Sequence, residues 1–194
     1  MSTPDLSALL AQSADAGPES RYLDAARDSI LERGWSRSTL TDIARRAGVA
    51  RMTIYRKWPD MNALLADLLV REWSQLFIDA KIDRGDLARG LTRTIAALRT
   101  NDLFVRIIDG DPELLIPYLF QRLGRNQRGA LGVLTHRIEA GQRAGEFRAG
   151  DPQLMAQTLL LAAYGFVLSA RTLDVSVRKL DAETRLLIER FLAP

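Results

Sequence analysis

The chain has 194 residues, 47 % hydrophobic and 26 % charged, with a formal net charge of +3. That balance suits a folded globular protein of one compact domain, or of one small and one larger domain, and argues against disorder over most of its length. The absence of cysteine excludes disulfides, thiolate catalysis and zinc–cysteine sites. A single histidine precludes a histidine cluster, and no strand followed by a glycine-rich phosphate loop is evident, so the composition argues against an enzyme and against any cofactor.

Residues 1–20 carry Pro4, Gly17, Pro18 and several serines with little periodicity, which predicts a flexible arm. Its acids Asp5, Asp15 and Glu19 argue against a basic arm for the minor groove, and no secretory signal is evident. From Arg21 to Gly34 a first helix is expected, with Leu23, Ala26, Ile30 and Leu31 on its inner side. Trp35 follows at the junction, and Thr39 or Thr41 is placed to cap the next helix.

The stretch Leu40 to Trp58 carries the strongest signal. Ile43, Ala44 and Ala47 give a short helix one apolar edge and turn Asp42, Arg45 and Arg46 outward. Gly48 stands where that helix must end and the chain must bend, and Val49 plugs the corner. A second helix then carries Met52, Ile54 and Tyr55 among Arg51, Thr53, Arg56 and Lys57, and stops before Pro59. Two short helices crossing closely over Ala44 and Gly48 describe a helix-turn-helix whose second helix enters the major groove. From Arg33 to Lys57 the bases are Arg33, Arg37, Arg45, Arg46, Arg51, Arg56 and Lys57 against the one acid Asp42, and phosphate is the natural partner of such a segment.

These residues resemble the TetR-type bacterial transcriptional regulators. The signature runs through Thr39-Leu40-Thr41-Asp42-Ile43-Ala44, Ala47-Gly48-Val49 and Thr53-Ile54-Tyr55-Arg56-Lys57-Trp58, closing with Pro59-Asp60 and Ala63-Leu64-Leu65. The resemblance covers Arg21 to about Val70; beyond that it is one of size and helical layout. It implies a three-helix DNA-binding head on a helical body that takes up a small molecule, with repression as the family habit. The family commonly has a phosphate-contacting lysine where this chain has Met61. Backbone N–H groups at a helix start capped by Asp60 offer the phosphate another approach.

Asp60 opens the fourth helix, with Leu64, Leu65, Leu68 and Leu69 as its buried stripe and Trp73 and Phe77 extending it. Lys81 to Asp86, with Gly85, reads as a linker or hinge and as the domain boundary. Beyond it Leu87, Leu91, Ile95 and Leu98 mark one amphipathic helix, and Leu103, Phe104, Ile107 and Ile108 a short one ended by Gly110 and Pro112. Leu114 to Leu123 continues, bent by Pro117, while Gly124 to Gly132 reads equally as a loop or a loosely wound helix. Leu131, Leu134 and Ile138 mark the next helix. Asp151-Pro152 starts one that runs to about Arg171 and is apolar nearly all round, although its longest apolar run, Leu159 to Ala170, is too short to span a bilayer. A last helix is expected over Ala182 to Leu192.

The expectation is therefore an all-α chain of about nine helices: an arm over 1–20, a helix-turn-helix domain with its linking helix over 21–80, and a ligand-binding and dimerisation domain over 86–194. By position Arg51, Met52 and Thr53 face base edges, Arg51 toward guanine and Met52 toward a thymine methyl. Tyr55, Arg56, Lys57 and the hydroxyls of Thr39 and Thr41 face phosphates. Leu103, Phe104, Ile107, Tyr118, Leu119, Leu134, His136, Tyr164 and Phe166 are candidates to line an apolar effector cavity. The partners expected are double-stranded DNA, a second copy held through the last two helices, and a small-molecule effector, in the cytoplasm and without a membrane. An architectural DNA binder lacking a ligand is the rival reading.

Overall fold

A computed structural model describes residues 20–82, 86–116 and 123–194. The expected arm, the hinge glycine Gly85, and Tyr118 and Leu119 lie outside the described residues. Among the described residues there are nine α-helices and no strand: α1 Ser20–Arg33, α2 Leu40–Arg46, α3 Arg51–Lys57, α4 Met61–Ala80, α5 Leu87–Thr100, α6 Asp102–Gly110, α7 Arg125–Arg143, α8 Pro152–Leu168 and α9 Val177–Leu192. Short 3-10 turns stand at Pro112–Leu115 and Ala170–Thr172.

The chain divides into two compact units, and not at the boundary expected over 81–86. One holds the described residues of Ala8–Gln75 and Thr100–Asn126; the other holds those of Leu76–Arg99 and Gln127–Pro194. Helix α6 thus folds with the helix-turn-helix.

In the first unit α1 buries Tyr22, Leu23, Ala25, Ala26, Ser29 and Ile30, while Leu31 is only half-buried. Its inner face is therefore turned slightly from the expected one. Gly34 ends the helix at φ +88°, its N–H donating to the Ile30 carbonyl at 2.8 Å. A Cβ there would lie 3.2 Å from the Arg106 guanidinium, so the backbone calls for glycine and the arginine would have to give by a few tenths of an ångström to admit a side chain. Ion pairs fasten α1 to α4: Arg71 meets Asp24 at 2.7 Å, and Arg27 meets Glu72 at 3.3 Å. The Trp58 indole donates to Asp67 at 2.7 Å, and its ring meets Tyr22 edge-on at 5.9 Å. From α6, Leu103, Phe104 and Ile107 are buried, with Phe104 edge-on to Trp73 at 5.8 Å.

In the second unit α5 buries Leu87, Leu91 and Ile95 as its period demands. The stretch around Gly129 and Gly132 is helix, part of α7, whose buried side is Ala130, Val133, Leu134 and Ile138; Leu131 is half-buried. Gly141 admits the Phe147 ring, which would lie 2.1 Å from a Cβ placed there. Asp151 caps α8, its carboxylate accepting from the N–H groups of Gln153 and Leu154 at 2.9 and 3.4 Å. Helix α8 buries Met155, Ala156, Leu159, Ala163 and Val167, and leaves Leu154 and Leu161 outside. Pro152–Thr172 is long and apolar enough to cross a membrane by length and composition, because the apolar stretch extends N-terminally beyond Leu159. Helix α9 begins at Val177, five residues before the expected Ala182, and buries Thr184, Ile188 and Leu192. Arg99 of α5 pairs with Asp181, and Arg185 reaches Asp86 at 3.5 Å.

Candidate nucleic-acid interface

Helix α2 is closed at both ends by short-range bonds. At its start the Thr39 hydroxyl accepts from the Asp42 N–H at 3.1 Å and donates to the Asp42 carboxylate at 2.7 Å. At its end Gly48 adopts φ +67°, its N–H donates to the Arg45 carbonyl at 3.2 Å, and the Val49 N–H reaches back to the Ala44 carbonyl at 3.0 Å. That pair of bonds is a Schellman ending, which needs a left-handed residue at Gly48. Ile43, Ala44 and Ile54 are fully buried, so the angle between α2 and α3 is set by apolar contact beneath the corner.

With Ile54 facing inward, the remainder of α3 is turned outward. Arg51, Arg56 and Lys57 are exposed, Met52 is 75 % exposed, and Thr53 and Tyr55 are half-buried. An apolar side chain so exposed on a short helix contributes nothing to the core of this chain. The Arg51 guanidinium carbon lies 5.0 Å above the centre of the Tyr55 ring, and Lys57 approaches the Trp58 ring at 6.0 Å. Hydrogen bonds from the Thr41 hydroxyl and then from Arg51 hold the Tyr55 phenol below the ordinary tyrosine range, since donors to the oxygen favour its ionised form. Thr39, Thr41, Arg51, Met52, Thr53, Tyr55, Arg56 and Lys57 therefore all lie on α3 or at the start of α2. The Thr39 hydroxyl is already engaged as a cap.

Two arginines of the basic segment are held by acids. Arg45 meets Asp42 at 2.7 Å, and Arg46 takes Glu32 with two nitrogens, one at 2.8 Å. Both carboxyls are held below their ordinary values: Glu32 by its hydrogen bond to Arg46, Asp42 by its hydrogen bond from Thr39 and the nearby Arg45. Glu32 stands just outside the acid-poor segment in sequence but returns to it in space. Asp60 accepts from the Ala63 N–H at 2.8 Å, and Met61 is half-buried at the start of α4.

The corner between α1 and α2 has a support that the sequence did not announce. Asp111, 5 % exposed and just past α6, accepts from the Trp35 N–H at 3.1 Å and from the Ser36 hydroxyl. Asp111 precedes a proline as Asp151 does, which marks a helix start but not a distant partner.

The described candidate effector residues belong to both units. Leu103, Phe104 and Ile107 are buried in the first unit. Leu134 is buried, Tyr164 and Phe166 are half-buried, and His136 is exposed, all in the second unit. Exposure of His136 leaves it outside the core of this chain. Burial pushes the Tyr164 phenol above the ordinary tyrosine range, with the nearby Gln127 side chain opposing the shift.

Comparison with known proteins agrees with the corner's geometry. The family described as bacterial regulatory proteins, tetR family, matches residues 23–68. An uncharacterized HTH-type transcriptional regulator of Mycobacterium tuberculosis is 36 % identical over 165 residues, which are 83 % of this chain and 85 % of that protein. Among solved structures, the TetR family repressor AlkX from Dietzia sp., implicated in biodegradation of n-alkanes, aligns over 91 % of this chain and 95 % of its own, with a TM-score of 0.65 and 19 % identity. The Rhodococcus erythropolis transcriptional repressor QsdR aligns over 90 % and 94 % with a TM-score of 0.65 and 16 % identity.

Proposed function

The chain belongs to the TetR family of bacterial regulatory proteins and is a DNA-binding transcriptional regulator; from that premise we propose that it is a repressor which binds a pseudo-palindromic operator as a homodimer and is released by a small apolar or aromatic ligand. The observation that carries the reading is the outward face of α3, where Arg51 and Met52 stand exposed beside Arg56 and Lys57 while Ile54 locks the helix from within. Arg51 reads guanine, Met52 meets a thymine methyl, and Thr53 completes the base-facing turn. Tyr55, Arg56, Lys57 and Thr41 take phosphates, with Thr39 contributing once its hydroxyl turns from Asp42.

A two-helix reader covers one half-site, and two copies place their reading helices about 34–36 Å apart, one turn of the duplex. Support for the second copy comes from α8 and α9, which leave Leu154, Leu161, Leu186 and Leu187 exposed. A partner helix pair covers such leucines more economically than water does. The same covering accounts for the membrane-length apolar stretch of α8 in a DNA-binding regulator.

The ligand acts by binding the DNA-incompetent form more tightly than the competent one, since equal affinity for both shifts nothing. AlkX, with its link to n-alkanes, supports an apolar ligand, and within the second unit the buried Leu134 is an apolar candidate for its lining. Tyr164 and Phe166 would add aromatic surface.

The test is selection of bound sequences from a random duplex pool, followed by affinity at two salt concentrations and a screen of apolar compounds for release. A pseudo-palindrome bound by a dimer and vacated on addition of one compound is the expected result. Uniform affinity that collapses with salt would sink the reading and leave an architectural DNA binder.

A further inference from the structure

The arginines of this head are held in two different ways. Arg45 and Arg46 lie against carboxylates, which compensate their charge and would have to be displaced before either met an acceptor on DNA. Arg51 instead lies over a neutral ring, its guanidinium carbon 5.0 Å from the centre of Tyr55. A guanidinium above a tyrosine ring spends at most one of its five N–H donors on the phenol oxygen and keeps the others for an outside acceptor, and a guanine edge takes two at a time. The ring is anchored as well: Tyr55 is half-buried and its neighbour Ile54 is fully buried.

We propose that Tyr55 is a positioning residue for base reading, holding Arg51 against its ring so that the guanidinium meets the DNA already oriented. Arginine has many rotamers, and fixing one at the moment of binding lowers affinity for the correct base as for any other. A guanidinium fixed beforehand loses little on meeting guanine and still fits the other bases badly. Tyr55 then has two separable parts. The ring serves discrimination through Arg51; the phenol hydroxyl, as the proposed phosphate contact, serves overall affinity.

The inference rests on the assignment of Arg51 to a base, so the experiment separates the two. Discrimination is measured as the affinity for the selected operator relative to operators changed at one symmetric base pair at a time, for Arg51→Ala, Tyr55→Phe, Tyr55→Leu and Arg51→Ala with Tyr55→Leu. Arg51→Ala should abolish preference at one guanine per half-site, a loss of about fivefold or more. Tyr55→Phe, which keeps the ring, should weaken binding to every sequence alike and keep that preference. Tyr55→Leu should lose the preference at the same guanine, and add nothing to Arg51→Ala there. Retention of helix content and thermal midpoint by Tyr55→Phe and Tyr55→Leu keeps the comparison free of folding. If Tyr55→Leu weakens all sequences equally, as Tyr55→Phe does, the positioning role is wrong and Tyr55 is a phosphate contact alone. If Arg51→Ala changes preference nowhere, the assignment of Arg51 to a base fails instead.

Discussion

The carboxylate of Asp111 bridges the backbone N–H of Trp35 and the hydroxyl of Ser36, partners 76 and 75 residues earlier in the chain. It is 5 % exposed, and its own N–H closes α6 by donating to the Ile107 carbonyl at 2.8 Å. The corner that orients α1 against α2 is thus finished by a residue that reads in sequence only as a helix boundary. Asp111→Ala should lower stability by about 1–3 kcal/mol, the cost of leaving a part-buried donor unmade. Denaturant unfolding checks the magnitude, and hydrogen exchange should show the Trp35 amide losing protection before those of α5. Unchanged Trp35 exchange would refute the clamp.

Gly34 and Gly48 separate two reasons for glycine. At Gly48 a Cβ would meet nothing within 4 Å, so Gly48→Ala should cost only the left-handed backbone term, about 1–2 kcal/mol. At Gly34 the φ of +88° is joined by the Arg106 guanidinium at 3.2 Å from the added carbon. Gly34→Ala should cost more than Gly48→Ala in the same denaturation assay, and a reversed order would contradict this account.

On DNA, Arg51→Ala and Lys57→Ala should fail differently. Loss of a base contact relaxes preference at one position. Loss of a phosphate contact weakens all sequences and lowers the slope of log affinity against log salt by about one. Salt titrations on operator and scrambled duplex distinguish the two, and equal slopes for Lys57→Ala and the unaltered protein would remove Lys57 from the phosphate set.

Leu161 is 67 % exposed on α8. A charge placed at the centre of a two-fold interface meets its own copy, so Leu161→Glu should shift sedimentation from dimer toward monomer and weaken operator binding while leaving helix content intact. A dimer of unaltered affinity would move the interface elsewhere.

Acid should loosen the outer side of the head. The Glu32 carboxyl is held below its unfolded value, chiefly by its hydrogen bond to Arg46, so its stabilisation is present above the unfolded pKa and is lost as pH falls through the folded one. The group is exposed, so the effect is small. Glu32→Gln should therefore lower the thermal midpoint slightly at neutral pH and not at all once the pH has fallen through the folded pKa and Glu32 itself is protonated. A midpoint difference that persists in acid would point to packing instead of charge.

The helix-turn-helix was legible because its signals are local. Gly48, Thr39 and the apolar positions Ile43, Ala44 and Ile54 act within a few residues of one another. The same locality gave the Asp151-Pro152 start of α8. What escaped depends on contacts remote in sequence or on packing that overrides propensity. Asp111 needed a partner 76 residues away, and Glu32 joined the basic segment from the preceding helix. Gly129 and Gly132 lowered the helical signal of a stretch that α7 nonetheless includes, where Ala130, Val133 and Leu134 are buried beside them. His136 shares α7 with Leu134, yet two positions are slightly more than a half-turn on a helix, and it falls on the exposed side.

The separation of Asp111 from its partners also sets an order of assembly. The bonds that close α2 span six residues or fewer, and such loops form early and at small entropic cost. The clamp at Trp35 cannot form until residue 111 has been made and has left the ribosome. The reading corner of a growing chain therefore takes shape first and is fastened later, so that during synthesis the protein owns its DNA-facing helices before it owns the contact that fixes α1 against them.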